Sequence, residues 1–105
     1  MKVMIKSPCE IPRIEEIPND MNVLQAIVGG YVEEFRLADD LLLLCDEEGR
    51  LKDRQHCFTW GRVRFFGTVI FVGVEEEDGE LHFADFPYST PIAFYEDMLV
   101  RGFMP

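Results

Sequence analysis

Cysteine and histidine side chains are the first residues whose chemistry we consider, because together they can bind zinc. The chain carries five of them, at Cys9, Cys45, His56, Cys57 and His82. Structural zinc sites usually supply their ligands as closely spaced pairs such as Cys-x-x-Cys, and no such pair is present. Three cysteines, an odd number, also argue against a disulfide framework. The sequence therefore predicts a protein that folds without a metal ion, a disulfide or another cofactor.

Nucleophiles and phosphate-binding loops form no catalytic pattern. Ser7 and Ser89 lack the context of a nucleophile elbow, and no glycine-rich phosphate loop follows a predicted strand. The chain has twenty carboxylate side chains, so the proximity of any two says almost nothing about acid–base catalysis. Because an activity must be argued from a site, we predict no catalytic residue and expect that the protein is not an enzyme.

Charge is the strongest chemical signal in the sequence. Twenty acidic and ten basic residues give a formal net charge of -10 at pH 7. The stretch from Arg50 to Arg64 runs against this trend, with five basic residues and one acidic residue. Proteins bind DNA by displacing counterions with lysine and arginine, so we expect no direct DNA binding and a basic or nucleic-acid-binding protein as the partner. The alternative is that acidic loops only keep a phenylalanine-rich protein soluble.

Eight acidic residues form the candidate partner-binding set, and they occur in three short clusters. These are Glu33 and Glu34, then Glu47 and Glu48, and finally Glu75, Glu76, Glu77 and Asp78. Carboxylates can imitate the phosphates of DNA only if they gather on one side of a molecule. We therefore expect the charges to separate into an acidic face and a basic loop.

A second set of residues suits a small ligand such as a nucleotide. Gln25 lies on a predicted helix, while Tyr31 and Trp60 carry rings that can stack on a base. Arg62 and Arg64 follow Trp60 and interleave basic with aromatic side chains. Each of these residues also has an ordinary role in a solvated helix face or in core packing. They define the alternative hypothesis, a ligand pocket that a homodimer can complete.

The length of 105 residues predicts one domain, residues 1–105, because two halves would be too small to bury separate cores. A hydrophobic content of 48% excludes intrinsic disorder. No apolar run approaches the roughly 20 residues that cross a bilayer, and the first residues lack the apolar segment of a signal peptide. We therefore expect a soluble, cytoplasmic protein with no membrane contact.

The first half of the chain predicts one helix between extended segments. Val3 and Ile5 alternate with other side chains in a strand, and prolines bound an extended crossing segment over residues 11–18. A short helix follows, with its apolar face formed by Leu24, Ile27 and Val28; its candidate N-caps are Asn19, Asp20 and Asn22, and its end is Gly29-Gly30. Residues 31–37 and 41–45 are the next two predicted strands.

The second half predicts a long strand, a hairpin and a terminal helix. Residues 52–61 have no clear period and are interpreted as a loop, whereas residues 62–74 are interpreted as one central strand. Asp78-Gly79 predicts a hairpin to a strand over residues 81–86. Thr90 and Pro91 begin a helix that ends at Gly102, with an apolar stripe of Ile92, Tyr95, Leu99 and Phe103 and with Phe94 and Met98 beside it. The element order β-α-β-β-β-β-α predicts an α+β domain with a mainly antiparallel sheet and the last helix packed on it.

Three blocks in order resemble an uncharacterised protein family that is common in bacteriophages and mobile elements of Gram-positive bacteria. The resemblance starts at residues 24–33, with the sequence LQAIVGGYVE. Residues 43–51 (LLCDEEGRL) resemble the family's turn, in which Cys or Val precedes Asn-Glu-Glu-Gly-Lys-Leu, and residues 67–73 (GTVIFVG) resemble its Gly-Thr strand. Two departures stand out: Asp46 replaces the usual Asn, and residues 52–57 lack the Leu-Pro and Asn that tend to follow.

The resemblance implies a setting and no agreed activity, cofactor or catalytic residue. That setting is a small accessory protein of a phage or mobile element in the bacterial cytoplasm. Our leading hypothesis is an inhibitor that binds a host defence or DNA-processing protein, with DNA mimicry as one form of it. The alternative hypothesis is a binder that sequesters a nucleotide signal, and a third is a structural or regulatory phage protein.

Overall fold

The centre of the protein is a six-stranded sheet in which every paired neighbour is antiparallel. The structure is a computed structural model that describes residues 1–49 and 51–102. Its elements are β1 (Lys2–Lys6), β2 (Arg13–Glu16), α1 (Met21–Val28), β3 (Val32–Ala38), β4 (Leu41–Asp46), β5 (His56–Trp60), β6 (Val63–Phe66), β7 (Val69–Glu77), β8 (Glu80–Ala84) and α2 (Pro91–Val100).

Strand β7 organises this sheet, whose strand order is β2-β1-β7-β4-β3, with β8 also paired to β7. It is the longest strand, with nine residues. Its first part lies between β1 and β4, and its last part pairs with β8. β5 and β6 form a separate two-stranded sheet.

Both faces of the central sheet are covered, which is why β4 and most of β7 are apolar at consecutive positions. Leu24 and Val28 of α1 pack on one face against side chains that include Leu44 and Ile70. The other face packs against Phe94 and Met98 of α2 and against the β5–β6 pair. The predicted α+β class with a mainly antiparallel sheet and a C-terminal helix on it is confirmed. None of the helices in the described ranges is long and apolar enough to cross a membrane.

The described residues contain eight strands, three more than the five that we predicted. The segment over residues 11–18 contains β2, which pairs with β1. The predicted loop over residues 52–61 contains β5, where a register shift between His56 and Phe58 buries both Cys57 and Phe58 and removes the period of two. The predicted single strand over residues 62–74 is two strands, because Gly67 with a φ of 79° interrupts it between β6 and β7.

The two helices differ in how well the sequence predicts their buried faces. Asp20 caps α1, Gly29 ends it in the left-handed conformation, and Leu24 and Val28 are buried as predicted. In α2 the predicted cap Thr90 is confirmed, but the buried residues are Phe94 and Met98. The predicted stripe is wrong in part: Tyr95 is half-buried against the core, but Ile92 and Leu99 are 69% and 55% exposed, and Phe103 lies outside the described residues. Phe94, which was placed beside the stripe, is fully buried in the aromatic cluster with Phe71 and Phe86.

Candidate functional site

The β7–β8 hairpin carries the densest charge among the described residues. Asp78 and Gly79 connect the strands, with φ values of 52° and 80°. Two successive positive φ angles define the primed turn that continues the twist of a hairpin, so the predicted Asp78-Gly79 turn is confirmed. Its tight geometry fixes the register Glu77↔Glu80, Glu76↔Leu81 and Glu75↔His82.

Five carboxylates project from this turn, and we call them the acidic tip: Glu75, Glu76, Glu77, Asp78 and Glu80. All five residues are exposed. A strand rises about 3.3 Å per residue, so the five carboxylates of both strands and the turn occupy about 10 Å of the hairpin. This length corresponds to roughly one carboxylate per 2 Å along the hairpin axis. Duplex DNA carries one charge per about 1.7 Å of axis, so the two densities are similar over this short distance.

Opposite charge is scarce at the acidic tip. The one ion pair there within the described ranges is a contact of 3.9 Å between His82 Nε2 and Glu80 Oε2, which is ionic only when the imidazole is protonated. Glu77 lies directly across from Glu80, an arrangement that destabilises a hairpin. The tip is therefore an exposed anionic surface whose charges no lysine or arginine in the described part of the chain neutralises.

A second acidic group lies at the other end of the sheet and contains Glu33, Glu47 and Glu48. Glu33 pairs with Cys45 at the end of β4, and the Glu47 N–H donates to the Tyr31 carbonyl at 3.0 Å. The register Leu44↔Ile70 places this group near the start of β7, whereas the acidic tip lies at the end of β7 and in the turn that follows it. The separation along β7 is about 30 Å. Seven of the eight candidate acidic residues are therefore divided between two ends and do not form one face.

A cleft at this second end brings together residues from both of our hypotheses. It has a volume of about 310 Å³, and it is lined by Gln25, Gly30, Tyr31, Asp46, Glu47, Glu48 and Lys52. Tyr31 is 69% exposed. The ring, the amide and the two glutamates therefore share one solvent-filled space.

Asp46 forms the floor of this region and is the one buried charged residue in the described ranges. Its carboxylate accepts from Lys52 Nζ at 2.9 Å and from the Glu48 N–H at 3.0 Å, and Arg54 Nη2 lies 3.2 Å from it. Burial alone would raise the pKa of Asp46, but these hydrogen bonds and the two positive charges outweigh burial and lower it. Asp46 is therefore held as a carboxylate.

The same two cations also bind the end of α1. Lys52 Nζ and Arg54 Nη2 donate to the Gly29 carbonyl at 3.3 and 3.0 Å. The fit is close, since a Cβ on Gly30 would lie 2.5 Å from the Asp46 carboxylate. This cluster joins the end of α1 to the segment after β4. It also joins the two places at which the sequence departs from the resembled motif, because Asp46 contacts Lys52 and Arg54 of residues 52–57. Sequence reasoning missed it; the available signal was a single acidic residue at the end of a fully apolar strand.

The residues of the predicted ligand pocket are not assembled in one place. Trp60 is only 9% exposed and packs beside Phe58, so it offers no face for stacking a base. Arg62 is exposed in the β5–β6 turn. Arg64 lines a different cleft of about 390 Å³, with Glu33 and Phe35. Of the five predicted residues, only Gln25 and Tyr31 line the same cleft.

The remaining charged candidates are dispersed. Glu34 lies on the face of β3 opposite to Glu33, beside Arg36 at a groove of about 240 Å³. Arg50, part of the predicted basic loop, lies outside the described residues. The described ranges contain no cluster of three or more His, Cys, Asp or Glu side chains with the arrangement of a metal site.

Comparison with known families identifies the family of this chain. A family model described as "Domain of unknown function (DUF3846)" matches residues 1–98, so the chain belongs to that family. The expected membership of an uncharacterised family is thereby confirmed. No curated protein and no solved structure matches the chain.

Proposed function

We propose that this DUF3846 protein is a non-catalytic accessory protein of a phage or mobile element. In this proposal it acts in the bacterial cytoplasm by binding a basic host protein that itself binds nucleic acid, such as a defence or DNA-processing protein. The acidic tip is the contact surface. The observation that carries the proposal is the density of its carboxylates, which approaches that of a DNA backbone over about 10 Å.

Two features of the acidic tip support this proposal. Its primed turn and paired strands hold the carboxylates on a defined backbone, so little order must be gained when a partner binds. The Glu77–Glu80 pair lowers the stability of the free hairpin, and a cation placed between the two carboxylates relieves that repulsion. A lysine- or arginine-rich surface supplies such cations. The division of the acidic residues between two ends limits any DNA mimicry to the tip.

The experiment is capture from a bacterial lysate by the tagged full chain, with two variants of equal charge. E75Q/E76Q/E77Q alters the acidic tip, and E33Q/E47Q/E48Q alters the other acidic end. Each removes three carboxylates from the chain, so a general effect of net charge changes both equally. We expect the tip variant alone to lose capture of basic proteins, and added salt to weaken wild-type capture because exposed charges are screened. Equal loss in both variants, or capture that ignores salt, contradicts the assignment.

A second candidate function is small-ligand binding in the cleft at the end of α1. The observation that favours it is the placement of Gln25 and the exposed Tyr31 on one cleft with Lys52. Mass spectrometry of molecules released on denaturation of the purified protein tests it. A ligand released from wild type and lost from Tyr31→Ala supports this function, whereas its retention in that variant or the release of none rejects it.

A further inference from the structure

Strand β3 is an edge of the central sheet whose outer side pairs with no strand in the described ranges. The hydrogen bond from the Glu47 N–H to the Tyr31 carbonyl and the register Glu33↔Cys45 and Phe35↔Leu43 direct the backbone groups of alternate residues toward β4. In an antiparallel ladder the intervening residues direct theirs the other way. Glu34 and Arg36 therefore present backbone N–H and C=O groups to the outer side.

The side chains at this edge are complementary to those of a second copy. Glu34 and Arg36 are exposed, lie two positions apart, and so share one face of the sheet. In an antiparallel pair of β3 strands centred on Phe35, each Glu34 lies opposite the Arg36 of the other copy. If the pairing were centred on Glu34, the two Glu34 side chains would lie opposite each other. If it were centred on Glu33, the two Glu33 side chains would do so. Charge therefore favours one register of self-pairing.

The backbone pattern selects the same register. When the pairing is centred on Phe35, Glu34 of each copy lies opposite Arg36 of the other. The backbone groups of both residues point outward, so each Glu34–Arg36 pair can be a hydrogen-bonded pair. Phe35 then lies opposite its own copy at a non-hydrogen-bonded position, where side chains approach closely. Its ring is half-buried, with its centroid 5.3 Å from that of Phe65.

Space is available on both faces of the edge. The cleft of about 390 Å³ lies beside Glu33 and Phe35, and the groove of about 240 Å³ lies beside Glu34 and Arg36. The Arg36 guanidinium is already positioned at the edge, because its Nε and Nη2 donate to the carbonyls of Ala38 and Asp39. Strand addition uses backbone hydrogen bonds for affinity and alternate side-chain sites for specificity.

We propose that the outer side of β3 is a homodimer interface, formed by antiparallel pairing of β3 with a second copy of this chain about a two-fold axis at Phe35. In the dimer the two central sheets become one continuous sheet, with Glu34–Arg36 contacts on both sides of the axis. This interface is independent of the acidic tip.

The test measures the mass of the purified full chain by sedimentation equilibrium from about 1 µM to about 1 mM, a range that covers weak and moderate dimers. We expect the wild-type mass to rise from 12.2 kDa toward twice that value. E34R places an arginine opposite Arg36 of the other copy, and R36E places a glutamate opposite Glu34 of the other copy. Each variant should therefore weaken dimerisation about tenfold or more. The double variant E34R/R36E restores opposite charges and should recover dimerisation, which a merely structural role of either residue does not explain.

A proline variant keeps the test decisive if a charge swap harms folding. The Glu34 N–H points away from β4, so Glu34→Pro preserves the β3–β4 hydrogen bonds and blocks only the outer edge. We expect this variant to stay monomeric, with the circular dichroism of the wild type. A wild-type protein that remains monomeric at all concentrations overturns the proposal. A dimer that withstands E34R, R36E and Glu34→Pro also overturns it.

Discussion

Glu77 and Glu80 face each other across the last rung of the β7–β8 hairpin, where two like charges oppose each other directly. A pair of opposite charges at these positions would stabilise the hairpin, whereas two like charges directly across from each other destabilise it. The hairpin tolerates this cost because the turn at Asp78 and Gly79 fixes its register independently of side-chain charge.

Glu77→Lys should therefore stabilise the protein. We expect a gain of about 0.2–1 kcal/mol in the free energy of unfolding, because a cross-strand ion pair replaces a repulsion. The control is Glu76→Lys, which makes the same charge change opposite Leu81 and should gain less. Urea denaturation measures both. Equal gains would show that the benefit comes from net charge and not from the Glu77–Glu80 geometry.

Asp46→Asn should change how stability depends on acidity. The pKa of Asp46 is lowered in the folded state from its ordinary value of 3.8, so the unfolded chain binds more protons between the folded pKa and 3.8. The contribution of Asp46 is complete above about 3.8 and is lost as the pH falls through the folded pKa. Wild type should therefore lose stability faster than D46N over this acidic range. Parallel pH profiles from chemical denaturation would contradict the ion-pair cluster.

Gly73→Ala should destabilise the fold. A Cβ at this position would lie 2.1 Å from the Asp85 carbonyl oxygen, and backbone cannot move aside as a flexible side chain does. Asp85 is itself fixed, because its carboxylate accepts from the Lys2 N–H at 2.7 Å. We expect a loss of about 1–3 kcal/mol, as for overpacked interiors, by thermal or urea unfolding. Gly61→Asn, at a turn with open space around it, should lose less.

The three thiols should differ sharply in reactivity. Burial, with the nearby Glu33 and Asp46 carboxylates, raises the pKa of Cys45 to about 11, and burial likewise raises that of Cys57 to about 11. At pH 8 only about one in a thousand of each is the reactive thiolate. Cys9 is exposed. A thiol reagent should therefore modify one cysteine quickly in the native protein and three after unfolding, and Cys9→Ser should remove the fast phase. Fast labelling in C9S would show that a buried thiol opens readily.

The parts of the fold that depend on local chemistry could be predicted from the sequence, whereas the contacts between distant segments could not. The cap at Asp20, the helix end at Gly29 and the turn at Asp78-Gly79 each depend on a few neighbouring residues, and all three are confirmed. Strand β5 was missed because a register shift hides its alternation. The two acidic ends were identified as sequence clusters, but their separation depends on the register of β4 against β7, which composition does not encode.

The Asp46 cluster shows the same limit at the candidate site. Lys52 and Arg54 could be recognised as basic residues in an acidic protein, yet their shared contact with Gly29 joins segments more than twenty residues apart. The prediction of Trp60 as a ligand-binding residue was wrong because burial of its ring depends on packing beside Phe58, which the sequence does not show.

The most direct test of the central proposal is the association rate between this protein and a basic partner isolated by capture, measured for wild type and both triple variants at low and physiological salt. Charges at a contact surface act mainly on association. We predict that E75Q/E76Q/E77Q slows association about tenfold at low salt and flattens its salt dependence, while E33Q/E47Q/E48Q leaves both close to wild type. Equal slowing by the two variants, or slowing by the second alone, would contradict the assignment of the acidic tip as the binding surface.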